Sequence, residues 1–139
     1  MPGARIEDAY GHVQPTTAAN LTAGAVSTTA AGTIAPTTAA GASPTVTFAT
    51  GQVATDSYGS FTLSPVTGGG AQSAGATSVV TFANPYGRAP AAVLVTCVND
   101  SGSVAVGAKA TSITANGFSV STPALTTANT YTIVYSVFP

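Results

Sequence analysis

Few residues in this chain could do chemistry. There is one histidine, His12, and one cysteine, Cys97. The carboxylates are Glu7, Asp8, Asp56 and Asp100; the cations are Arg5, Arg88 and Lys109. Acid/base catalysis needs a proton donor and acceptor held within reach of one substrate. Glu7 and Asp8 are adjacent near the start, whereas Asp56 and Asp100 each adjoin a turn and read as solvated turn or capping carboxylates. Cys97 sits in Leu94-Val95-Thr96-Cys97-Val98, a run that suits a buried, inert thiol. The many Ser and Thr have no evident base partner, so no hydrolase triad is expected. One Cys cannot form a disulfide within the chain, and His12 with Cys97 is too small a set for zinc. Gly68-Gly69-Gly70 lacks the lysine and following helix of a phosphate loop. The expectation is a protein without catalytic activity, cofactor or metal.

Composition narrows the partners. The chain has 139 residues, of which 5 % are charged, and its net charge is −1. A nucleic-acid groove needs several cations on one face, so nucleic acid is not expected. Hydrophobic residues make up 45 %, but most are Ala and Val, which bury little surface each. So thin a core predicts added burial, through self-association, with a homotrimer as the expected form, or by lying on another protein. No apolar run approaches the length of a membrane-spanning helix, so no membrane insertion is expected. The opening Met1 to Asp8 lacks the apolar stretch of a signal peptide, which predicts synthesis in a cytoplasm.

The elements that would position these residues divide at residue 44. Residues 1–15 hold Arg5, Ile6, Glu7, Asp8, Tyr10 and His12, the richest set for specific anchoring. Residues 16–44 are nearly all Ala, Thr, Gly, Ser and Pro. Within them Thr28-Thr29-Ala30-Ala31-Gly32 returns as Thr37-Thr38-Ala39-Ala40-Gly41. No helical stripe is present, so 1–44 reads as an extended arm. From Thr45 the pattern is β. Strands are expected at 45–48, 60–66, 78–83, 92–98, within 104–114, at 118–121 and at 130–138. Gly68-Gly69-Gly70 and Asn99 to Gly102 read as turns, and Asn116-Gly117 as a two-residue type I′ hairpin turn. In the last strand Tyr131, Ile133, Tyr135 and Val137 share one face, and Thr132, Val134, Ser136 and Phe138 the other. Short strands without helices predict an all-β fold: an antiparallel β-sandwich of six to seven strands over 45–139.

An ordered set of segments carries a resemblance. Asp56-Ser57-Tyr58-Gly59-Ser60-Phe61-Thr62-Leu63 comes first, then Val80-Thr81-Phe82-Ala83-Asn84-Pro85-Tyr86 and Ala89-Pro90-Ala91-Ala92-Val93-Leu94-Val95-Thr96. Thr114-Ala115-Asn116-Gly117-Phe118-Ser119-Val120 and Tyr131-Thr132-Ile133-Val134-Tyr135 complete it. The set resembles a β-sandwich module of tailed-phage virion proteins, of the kind found in actinobacteriophage minor tail and fibre proteins. More weakly, it is similar to the H-type lectin sandwich. The resemblance implies a virion structural protein whose partners are its own copies and the major capsid or tail proteins. A short arm before one small domain favours a head decoration or minor capsid protein, with the arm docked on the shell and the sandwich projecting. The alternative is a tail fibre or minor tail module that binds host-surface glycans, with Tyr86, Arg88, Asn99 and Asp100 as loop residues for the ligand.

Overall fold

The computed structural model describes residues 32–65 and 72–139, and the backbone of two short strands before them. Those two, β1 (Ile6–Glu7) and β2 (Val13–Gln14), pair antiparallel with each other. The remaining strands are β3 (Thr33–Pro36), β4 (Thr45–Thr47), β5 (Tyr58–Ser64), β6 (Gly75–Thr81), β7 (Ala92–Asn99), β8 (Val104–Val106), β9 (Lys109–Thr114), β10 (Gly117–Thr122) and β11 (Tyr131–Phe138). A single 3-10 turn, Thr38–Ala40, follows β3. No helix among the described residues is long and apolar enough to cross a membrane.

Two antiparallel sheets form the predicted sandwich. One has four strands in the order β3-β6-β10-β9, the other five in the order β4-β5-β11-β7-β8. Period-two alternation decides what each strand buries. On β11 the inward set is Tyr131, Ile133, Tyr135 and Val137, as the sequence predicts. Phe61 and Leu63 of β5 and Cys97 of β7 join them from the same sheet. Val80, Phe118 and Val120 face them from the other, with Phe82 and Leu125 closing the ends. The core is small. Its aromatic spine runs Phe82–Phe118–Tyr135, with ring centroids 6.0 and 5.3 Å apart.

The structure differs from the sequence expectation in three places. First, Thr33–Pro36, inside the segment read as an arm, is an edge strand that pairs with β6. Ala40 behind it is fully buried, so the sandwich begins near residue 32. The segment hides this because its one large apolar residue, Ile34, stands alone among Thr, Ala and Pro, while an edge strand tolerates Pro36. Second, there are nine strands in the two sheets, because residues 104–114 split into β8 and β9 and the arm adds β3. Third, the β9–β10 hairpin exists, but its loop is Ala115-Asn116, with Thr114 opposite Gly117. Of the two residues in the predicted turn only Gly117 has positive φ, so the turn is not type I′. The Gly68-Gly69-Gly70 turn, Val66 and the first copy of the Thr-Thr-Ala-Ala-Gly repeat up to Ala31 lie outside the described residues.

Each edge of each sheet is interrupted. β4 and β8 have three residues each. β3 ends in Pro36, which has no N–H to offer, and β9 begins with the exposed Lys109. Ser112 in β9 has φ +50°, and the register with β10 shifts beside it. The chain itself crosses between sheets at both sides, from β3 to β4 and from β8 to β9.

The sandwich has two distinct poles. Gly32 lies at one, beside Asp56 and Thr81, and β11 ends there, where the Val137 N–H donates to the Ser57 carbonyl at 2.8 Å. At the other pole Asn99 pairs with Tyr131, and the Asp100 N–H donates to the Thr130 carbonyl at 2.9 Å. The eight residues of β7 span the distance, about 25 Å.

Candidate functional site

The polar residues converge on Asp56, which is 1 % exposed. It sits in the connection leading into β5. One carboxylate oxygen accepts the Ala83 N–H at 2.7 Å; the other accepts the Asn84 N–H at 2.9 Å and the Asn84 side-chain amide at 3.5 Å. The Tyr86 hydroxyl donates to the Asp56 carbonyl at 2.7 Å. The Tyr135 hydroxyl, from β11, the neighbour of β5 in the same sheet, donates to the Thr55 carbonyl at 2.7 Å. Thr55 in turn receives the Tyr58 N–H on its hydroxyl at 3.0 Å. The 82–86 segment is fixed on its other side by the hairpin loop. The Phe82 and Tyr86 N–H groups donate to the Asn116 and Ala115 carbonyls, both at 2.9 Å. Gly59 makes room for this knot: a Cβ there would lie 2.5 Å from the Tyr135 ring.

This arrangement fastens the segment after β6 to the connection before β5. A carboxylate is an acceptor only, and here its oxygens are occupied by main-chain donors. Asp56 was expected as a solvated capping carboxylate; it does cap two N–H groups, but buried inside the sandwich. Asp56, Gly59, Asn84, Tyr86, Gly117 and Tyr135 meet at this pole. The pairing of Asp56 with residues 83 and 84, which lie 27 and 28 positions away, has no local sequence signal.

Burial holds several groups in their neutral forms. The Cys97 thiol is pushed up to about 11, first by burial and then by the nearby Asp100 charge. The Tyr135 phenol is raised above its usual range by burial and the Asp56 charge, against the opposing bond to Thr55. Tyr86 is raised by burial, with a Ser57 hydrogen bond opposing and the Asp56 charge adding. Cys97 is thus expected to resist labelling by a maleimide at pH 7.5 in the native protein and to react stoichiometrically in denaturant. Equal rates in the two states would show an open thiol. All three groups have folded pKa values above their unfolded ones. Their stabilising contribution is therefore complete below pH 9 and is lost as pH rises beyond it. The urea midpoint is expected to fall between pH 8 and pH 11; an unchanged midpoint would refute these assignments.

The residues expected to face partners are distributed differently. Of the anchoring set, Arg5, Asp8, Tyr10 and His12 lie outside the described residues. Ile6 and Glu7 are seen as backbone, paired with Gln14 and Val13. Of the glycan set, Tyr86 and the exposed Arg88 lie at the Asp56 pole, and Asn99 and Asp100 at the opposite one. A single small ligand cannot meet all four. The Tyr86 hydroxyl is already committed to Asp56, and the Asn99 side chain accepts the Ser101 N–H at 3.0 Å within its own turn. Among the described residues no three His, Cys, Asp or Glu side chains group as metal ligands would. An open cleft of about 550 Å³ at the Asn99 pole of the four-stranded sheet is lined by Ala, Gly, Ser, Thr and Pro, with Lys109 its one charge. No protein family, curated protein or solved structure matches this chain.

Proposed function

We propose that this chain is a non-enzymatic virion protein of a tailed phage, a head decoration or minor capsid protein that acts through assembly. The observation that supports this reading is the polarity of the sandwich. The chain enters at Gly32 beside Asp56, while the turns after β7 and before β11 lie about 25 Å away at the other pole. An arm attached to a shell by residues 1–15 would join the domain at its Asp56 pole and leave the Asn99 pole free. Anchor segments of this kind gain affinity from repetition, since many copies engage one lattice. The cross-sheet fastening of Asp56 to Ala83, Asn84 and Tyr86 suits a part that must stay folded outside a cell.

Immunogold labelling of purified particles tests the reading. Label on heads supports decoration, label at the tail supports the tail-module alternative, and particles without label overturn a virion role. Deleting residues 1–15 is expected to leave a folded sandwich that no longer binds particles. The deletion must stop short of residue 32, because β3 and Ala40 belong to the domain.

A further inference from the structure

We infer that the outer face of the five-stranded sheet is where one copy of this chain packs against another. The five large apolar side chains on that face are Tyr58, Leu94, Val98, Val134 and Phe138, with Leu94 62 %, Phe138 48 % and Val134 44 % exposed. Register places them together. Val134 lies opposite Thr96 and Ser60, so its diagonal neighbours are Leu94 and Val98 on β7 and Tyr58 on β5. Phe138, opposite Ala92, is diagonal to Leu94. Between them the outward positions are Ser, Thr and Ala. No described charged residue lies on this face: Asp56 is buried, Arg88 and Asp100 are in loops at the poles, and Lys109 is on the other sheet.

The occupant is a second copy, for reasons of charge and area. The face is uncharged and the chain's net charge is −1, so two copies meet without repulsion and a strongly charged partner finds nothing to pair with. Five strands of these lengths, at usual spacing and rise, give a footprint of about 500 Å². Two facing copies therefore cover about 1,000 Å², the lower range of a specific interface. Large apolar side chains clustered on an exposed face mark contacts. A self-complementary face closes most simply about a two-fold axis; a three-fold assembly would share the same face around its axis.

This inference deepens the assembly role proposed above, and the two can fail separately. Particle labelling tests the role without reference to the face, and solution mass tests the face without particles. Light scattering of the full chain at high micromolar concentration is expected to give a multiple of its 13.4 kDa mass. The double variant Leu94→Lys with Val134→Lys should run as a monomer, while Ala35→Glu, exposed on the other sheet, should keep the wild-type mass. A monomeric wild type overturns the inference, as does an oligomer that survives the double variant or is lost in Ala35→Glu. If the double variant fails to fold, hydroxyl-radical footprinting of the wild type decides. Tyr58, Leu94 and Phe138 should become protected as concentration rises; unchanged labelling there refutes the face.

Discussion

Asp56→Ala is expected to lower the stability of the sandwich by about 2 kcal/mol, from two orphaned, part-buried N–H groups at roughly 1 kcal/mol each. Removing a buried charge also removes its desolvation cost, and where both partners can be replaced the exchange is often neutral. Here the partners are the main-chain N–H groups of Ala83 and Asn84, which no substitution at position 56 removes. They would stay in place without an acceptor. For a domain of this size the melting temperature should fall on the order of 10 °C. Asp56→Asn keeps one acceptor but turns an amide N–H₂ toward the other donor, so an intermediate loss is expected. Thermal unfolding of the two variants checks this, and an alanine variant within 0.5 kcal/mol of wild type would show that the knot contributes little.

Gly117→Ala should be at least as severe. A Cβ at position 117 would lie 2.1 Å from the Val80 carbonyl oxygen and 3.1 Å from the Thr81 Cα. Both are backbone atoms of the paired strand β6, so no side chain can swing aside. The residue also holds φ +154°, which L residues rarely adopt. Relief requires β10 to lift from β6 at the place where the hairpin loop holds Phe82 and Tyr86. We expect a loss of about 3 kcal/mol or more, or failure to fold. Two other glycines calibrate the result. Gly51→Ala, at φ +86° with open space around it, should cost only about 1 kcal/mol of backbone strain. Gly87→Ala, with open space and no positive φ, should be close to neutral. Equal losses at all three positions would refute the steric account.

The sandwich was legible because its strands bury one face each. The alternation in Tyr131 to Phe138 predicts both the buried and the exposed set, and the Val-rich runs of β6 and β7 mark strands without ambiguity. What stayed hidden depends on partners distant in sequence. Thr33–Pro36 looks like linker until β6 supplies its hydrogen bonds. Asp56 looks like a turn carboxylate until residues 83 and 84 arrive above it. The hairpin was found through Asn116-Gly117, but its loop lies one residue earlier because close approach to Val80, not the turn itself, demands the glycine. The spacing of Tyr86, Arg88, Asn99 and Asp100 gave no sign that a whole strand separates the two pairs.

The interrupted sheet edges have a consequence for the size an assembly can reach. An uninterrupted edge strand would template strand after strand, and copies at high concentration would grow into fibres without limit. Three-residue β4 and β8, Pro36 on β3, and Lys109 with the Ser112 irregularity on β9 each deny that addition. Growth by backbone pairing is discouraged on all four sides, which leaves side-chain surfaces such as the proposed face, able to close on themselves, for contact between copies. The fold thereby favours a finite count over an endless polymer.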